Sequence, residues 1–167
     1  MRRGLKWGLT GAGLLLATPL SAVTTSTFTV TAQIVAGCLV MGGATHYGAL
    51  NYGTQSALST STLSTSLGGS TVTFQCTPGV AMSMSLDGGQ NSASGTRNLK
   101  RTSGTQVLAY QLYRDAAFSQ SLGIGQSVVV SYSDPTAIKL PVYGRVQLSG
   151  TLPAGTYTDV VQVTVTW

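Results

Sequence analysis

Polar and apolar residues alternate along most of this chain, and the dominant period is two. Thr27-Phe28-Thr29-Val30-Thr31-Ala32-Gln33-Ile34 alternates without a fault, the mark of a half-buried strand. Ser70 to Cys76 repeats the pattern until Thr77-Pro78-Gly79 stops it. Ala81 to Leu86 follows and ends at Asp87-Gly88-Gly89, a strong turn signal. Gln106 to Arg114 sets Val107, Ala109, Gln111 and Tyr113 on one face and Leu108, Tyr110 and Leu112 on the other. A Val-rich run, Ser127 to Ser133, ends at Asp134-Pro135; Lys139 to Leu148 and Thr156 to Trp167 complete the set. The Ser/Thr/Leu-rich stretch Gln55 to Gly69 reads as a connection with room for a short edge strand. Helical periodicity is almost absent and no internal repeat is visible. Seven or so short strands, with turns roughly every 8–15 residues, predict an all-β sandwich or barrel.

The two ends change the picture most. Residues 1–22 read as a Sec signal: Met1-Arg2-Arg3 and Lys6 are basic, Leu9 to Ala17 is apolar, and Thr18-Pro19-Leu20-Ser21-Ala22 is a small-residue exit. An apolar run of about nine residues is too short to cross a hydrocarbon core of roughly 30 Å, so cleavage after Ala22 is expected rather than anchoring. At the other end, Tyr157, Asp159, Val161, Val163, Val165 and Trp167 share one face of the last predicted strand. Neither this strand nor the alternating segment before Cys38 carries the Lys, Pro or bulge signal that usually blunts an exposed edge. A monomer built this way would aggregate, whereas an assembly subunit would use both edges.

Charge adds little beyond that. The net charge of +5 includes three residues of the predicted signal. What remains is six basic residues (Arg97, Lys100, Arg101, Arg114, Lys139, Arg145) against Asp87, Asp115, Asp134 and Asp159, a difference of two. Only Arg97, Lys100 and Arg101 cluster, with no interleaved aromatics, which argues against nucleic-acid binding. A hydrophobic fraction of 43% argues against disorder despite the Ser, Thr and Gly content. The chain has two cysteines, Cys38 and Cys76, and export sends them to an oxidising compartment, so one disulfide is expected. It would close a loop of about 39 residues, worth roughly 4 kcal/mol in the chain-entropy picture.

Several motifs in order resemble a known family. They are Gly37-Cys38, Tyr47-Gly48-Ala49-Leu50-Asn51-Tyr52-Gly53, Phe74-Gln75-Cys76-Thr77 and Leu86-Asp87-Gly88-Gly89. Ala109-Tyr110-Gln111-Leu112-Tyr113-Arg114-Asp115, Val142-Tyr143-Gly144 and Gly155-Thr156-Tyr157-Thr158-Asp159 follow. Their combination resembles the spore coat U (SCPU) domain family, and within it the pilins of archaic, Csu-type chaperone–usher pili; Tyr47 and Tyr52 stand where the family prefers Phe. The resemblance implies an incomplete immunoglobulin-like β-sandwich, missing its final strand, over residues 37–167, preceded by an N-terminal donor strand within 23–36. It implies that Phe28, Val30, Ala32 and Ile34 insert into a neighbouring subunit. The acceptor edge, also the chaperone contact, would be the terminal strand with Val161, Val163, Val165 and Trp167. The implied partners are copies of the chain or related pilins, a periplasmic chaperone and an outer-membrane usher. The implied destination is the periplasm and then the cell surface, where such fibres serve attachment and biofilm formation.

Other chemistry is thin. His46 is the sole histidine, with no Ser-centred or acidic motif beside it, so neither zinc binding nor nucleophilic catalysis is expected; no metal, cofactor or enzymatic activity is predicted. Asp87-Gly88-Gly89 offers too few ligands for calcium and reads as a turn. Tyr110, Tyr113, Arg114 and Asp115 read as core and a local turn rather than a carbohydrate patch. Tyr157 reads as a structural corner contact. The alternatives to a polymerising subunit are a monomeric secreted adhesin or binding module, and a component of a spore-coat-like surface layer.

Overall fold

The structure, a computed structural model, describes residues 27–43, 46–67 and 72–167. The predicted signal, residues 1–22, lies outside the described residues. The chain divides into two units, Met1–Ile34 and Val35–Trp167. In the first, residues 27–34 form no strand, and Phe28, Val30 and Ile34 are 86%, 80% and 95% exposed.

The second unit is all β apart from a single turn of 3-10 helix at Met41–Gly43. Its strands are β1 (Cys38–Val40), β2 (Thr62–Ser66), β3 (Phe74–Cys76), β4 (Met82–Leu86) and β5 (Arg97–Arg101). After them come β6 (Val107–Tyr113), β7 (Val128–Val130), β8 (Tyr143–Gln147), β9 (Tyr157–Thr158) and β10 (Val163–Thr166). They form a five-stranded sheet in the order β2-β8-β6-β5-β9, a three-stranded sheet β10-β4-β7, and a pair β1-β3. Every strand pairing is antiparallel.

The period-2 pattern places the core. Met82, Met84 and Leu86 of β4 are buried while Ser83 and Ser85 are not. On β6, Tyr110 and Leu112 point inward, as the alternation required. With Phe74, Leu122, Val130, Ile138 and Val146 they make one contiguous apolar cluster. On the opposite face of β6, Tyr113 is nonetheless buried: Phe118 reaches back from the following turn and meets both Tyr113 and Tyr143 edge-on, with centroids 5.4 and 6.5 Å apart. The turn is held by Asp115, whose carboxylate accepts from the backbone N–H groups of Ser119 and Gln120.

The expected bridge between Cys38 and Cys76 is present. The two residues face each other across β1 and β3, and the ladder continues outward through Thr77 N–H, which donates to the Gly37 carbonyl at 2.9 Å. The Gln55–Gly69 connection does hold an edge strand, β2. Two readings need correction. Arg97–Arg101 was read from sequence only as a charge cluster, yet it forms β5, whose Arg97 and Leu99 lie opposite Tyr110 and Leu108. The segment Thr156 to Trp167 is not one strand: β9 borders the five-stranded sheet and β10 the three-stranded one, with the chain crossing between sheets at 159–162.

Candidate functional site

The three-stranded sheet is too narrow to cover the five-stranded one. The inner faces of β2, β5 and β6 therefore keep Leu63, Leu99 and Leu108 only partly buried. Above them lies a groove of about 1480 Å³, bounded by residues 46–57, by 152–163 and by the inner face of the larger sheet. Its lining mixes Leu, Val and Tyr side chains with small and polar residues of the two bounding segments.

One wall is the crossing segment 159–162, and polar groups, half-buried at Asp159 and Asn91 and exposed at Asp87 and Gln90, hold it. The carboxylate of Asp159 accepts from the Tyr110 hydroxyl at 2.7 Å and from the backbone N–H and side-chain amide of Asn91 at 3.1 and 3.0 Å. Asp87 accepts from Gln162 N–H through its side chain at 2.9 Å, while its own N–H donates to the Gln162 carbonyl at 3.0 Å. Gln90 N–H donates to the Val160 carbonyl at 3.1 Å. The Asp87-Gly88-Gly89 turn is thus the dock for the crossing, and a Cβ at Gly89 would stand 2.0 Å from an Asp159 carboxylate oxygen. Burial, and then the hydrogen bond to Asp159, raises the Tyr110 pKa far above its ordinary value.

Behind this dock sits Arg97, 4% exposed. Its guanidinium donates to four main-chain carbonyls: Asp87 at 2.8 Å, Leu122 at 2.7 Å, Leu86 at 3.1 Å and Gly123 at 3.3 Å. The fork geometry of arginine lets one side chain tie the end of β4 to the Leu122–Gly123 turn. Burial lowers its pKa, and the nearby Tyr110, Asp87 and Asp159 push the other way. Sequence reasoning missed this role, and no local pattern signals it.

The opposite wall is the Tyr47–Gly53 motif. Tyr47 stacks on the fully buried Phe74 with ring centroids 5.7 Å apart. Leu50 and Tyr52 press on β8 where Gly144 leaves a gap; a Cβ there would stand 3.1 Å from Leu50 Cδ1 and 2.3 Å from the Tyr52 hydroxyl. Burial pushes the Tyr52 pKa up to about 12.

Of the residues expected at the acceptor edge, Val161, Val163 and Val165 are half-buried against the core, and Val161 and Val163 line the groove. Val165 and Trp167 do not line it; Trp167 is 53% exposed and its indole nitrogen lies near Gly37. β10 pairs with β4 on one side and with no strand on the other among the described residues. Tyr157 donates its hydroxyl to the Pro153 carbonyl at 2.9 Å, the corner contact its position suggested. The described residues contain no cluster of three His, Cys, Asp or Glu side chains able to hold a metal ion, and no helix long and apolar enough to cross a membrane.

These features define an immunoglobulin-like β-sandwich whose inner layer stands partly open beside an unpaired strand edge. The sequence matches the Spore Coat Protein U domain over residues 24–164, and the chain belongs to that family. No curated protein sequence matches it. Among solved structures it is similar to a chain in the crystal structure of the CsuC–CsuE chaperone–tip adhesion subunit pre-assembly complex from archaic chaperone–usher Csu pili of Acinetobacter baumannii. Identity there is 19% and the TM-score 0.50, over 80% of this chain but 40% of that one, so the protein spans less than half of its structural neighbour. A weaker match, 15% identical with a TM-score of 0.48, is to a chaperone–tip adhesin complex of CFA/I fimbriae, over 78% of this chain and 41% of that one.

Proposed function

We propose that the protein is a structural subunit of an archaic chaperone–usher pilus that polymerises by donating its N-terminal strand to the groove of the next subunit. The observation that carries this reading is the groove itself: a long apolar opening in the sandwich, beside an edge strand with unpaired backbone groups. Strand addition uses such an edge for main-chain hydrogen bonds and the floor for alternate side chains. The chain carries a segment of the required chemistry, with Phe28, Val30, Ala32 and Ile34 exposed and spaced by two. Burying Phe28, Val30 and Ile34 yields about 5–9 kcal/mol at roughly 1.5–3 kcal/mol each. A one-residue slip would send Thr27, Thr29 and Thr31 inward instead, so the register is strongly specified. Because donor and acceptor surfaces differ, the contact is head to tail and propagates as a fibre. The family and the Csu likeness support a periplasmic chaperone and an outer-membrane usher as handling partners, with export preceding assembly at the cell surface, and a structural rather than enzymatic role.

Deleting residues 23–34 tests this. The truncated subunit should still bind its chaperone through the groove but should terminate fibres, so that electron microscopy of the producing cells shows none. Normal fibres from the truncated chain would exclude donor-strand exchange. A single charge should act almost as strongly: Phe28→Asp places an unpaired carboxylate in an apolar groove, at several kcal/mol, and should abolish fibres while the chain is still exported.

A further inference from the structure

Residues 46–55 line the groove in an unusual way. They belong to no strand, and their main chain makes no backbone–backbone hydrogen bond among the described residues. Among the described residues their backbone makes one bond to a side chain, a local one from Gly53 N–H to Asn51 Oδ1 at 2.8 Å. What holds this strap is side-chain burial alone: Tyr47 on Phe74, then Leu50 and Tyr52 on Gly144. Gly48 and Gly53 bracket the inner part with φ of 118° and 73°, backbone states that glycine tolerates and that make both ends pivots. The Tyr52 hydroxyl is buried and finds no hydrogen-bond partner among the described residues. Most of its backbone faces solvent, so the telling feature is the Tyr52 hydroxyl, which a permanent core element would be expected to satisfy.

We propose that Ala49-Leu50-Asn51-Tyr52 is a hinged cover, which narrows the open groove and shields part of its floor until an incoming strand displaces it. Leu50 and Tyr52 shield the inner face of the large sheet in the empty subunit, and the unsatisfied hydroxyl keeps the seated state weak enough to yield. Tyr47, stacked on Phe74, is the fixed anchor from which the strap swings. This inference rests on the donor-strand reading above and specifies how the acceptor site is kept soluble yet available.

Hydroxyl-radical footprinting read by mass spectrometry tests it on the exported chain carrying Phe28→Asp, which cannot insert its own strand. A labelled peptide of residues 24–34 serves as the incoming strand, and its uptake is followed by fluorescence polarisation. On uptake, oxidation of Leu50 and Tyr52 should rise several-fold while Tyr47 stays protected. If the peptide binds and Leu50 and Tyr52 remain as protected as before, the strap is a fixed wall and the proposal is overturned. If the peptide does not bind at all, the donor-strand reading fails and this proposal falls with it. Two substitutions should shift the uptake rate in opposite directions. Tyr52→Phe removes the unsatisfied hydroxyl, steadies the seated strap and should slow uptake about tenfold. Gly144→Ala puts a methyl 2.3 Å from the Tyr52 hydroxyl, unseats the strap and should speed uptake by a similar factor. Faster uptake by Tyr52→Phe would overturn the proposal even if Gly144→Ala failed to fold.

Discussion

Replacing Arg97 with methionine should destabilise the domain by about 1–3 kcal/mol, although the residue does not line the groove. Methionine keeps the apolar stem and removes the guanidinium. The Leu86 carbonyl would keep a donor, since Gly125 N–H already reaches it at 2.8 Å. The Gly123 carbonyl likewise keeps Gln126 N–H at 3.3 Å, so the carbonyls of Leu122 and Asp87 would lose theirs, the first in a buried setting and the second in a partly buried one. At about 1–3 kcal/mol for a buried acceptor left bare, and less where water can reach, the loss sums to roughly 2–4 kcal/mol. Relief from burying the cation offsets part of it, which brings the net into the stated range. Guanidinium unfolding followed by circular dichroism, with saturating peptide of residues 24–34 to fill the groove, would measure it; the melting temperature should fall by about 10 °C. Arg97→Lys should recover less than half, because one ammonium cannot span four carbonyls. A loss below about 1 kcal/mol for Arg97→Met would refute the reasoning and reduce the four bonds to bystanders.

Two further outcomes follow from the same geometry. Replacing Cys38 and Cys76 together with serine should cost up to about 4 kcal/mol, since the bridge closes a long loop, and immunoblots should show less chain in the periplasm; an unchanged yield would mean that β1 is held by its ladder alone. Alkaline titration of the tyrosines, followed by absorbance, should leave Tyr52 ionising near pH 12 and Tyr110 later still. Both groups have folded pKa values raised above their unfolded ones, so the stability they contribute is intact below about pH 10 and is lost as pH rises beyond it; a single transition near pH 10 for all tyrosines in the folded protein would contradict the burial of both.

Much of the architecture was written in the period-2 alternation. Met82, Met84 and Leu86 could face only one way, and so could Leu108, Tyr110 and Leu112 against Gln111 and Tyr113. The two cysteines, with no third to compete, fixed the bridge. The polar interior was not legible in the same way. Arg97 lies inside because four carbonyls converge from two turns far apart in sequence, and no local pattern announces a convergence of that kind. The last segment looked continuous because Val161, Gln162 and Val163 resume the alternation, although Thr158-Asp159 and Val160-Val161 break it. Only Tyr110 and Asn91, which seize Asp159, reveal that the chain changes sheets there. The Tyr47–Gly53 motif was visible as a motif, but its task depends on Gly144, about ninety residues downstream. The alternating segment 27–34 shows the opposite limit. Its pattern is that of a strand, yet a strand also needs a ladder partner, and periodicity does not say which molecule supplies one.

The position of the disulfide has a mechanical consequence. Any pull on the chain through residues upstream of Gly37 enters the sandwich at Cys38 and passes through the sulfur bridge straight into β3. The intervening stretch, a sequence separation of 38 residues, is bypassed, including the strap and β2. Were the bridge cut, that stretch could pay out as about 130 Å of slack, at roughly 3.4 Å per residue. With the bridge intact, a load applied there bypasses that stretch, and the groove wall it carries stays folded.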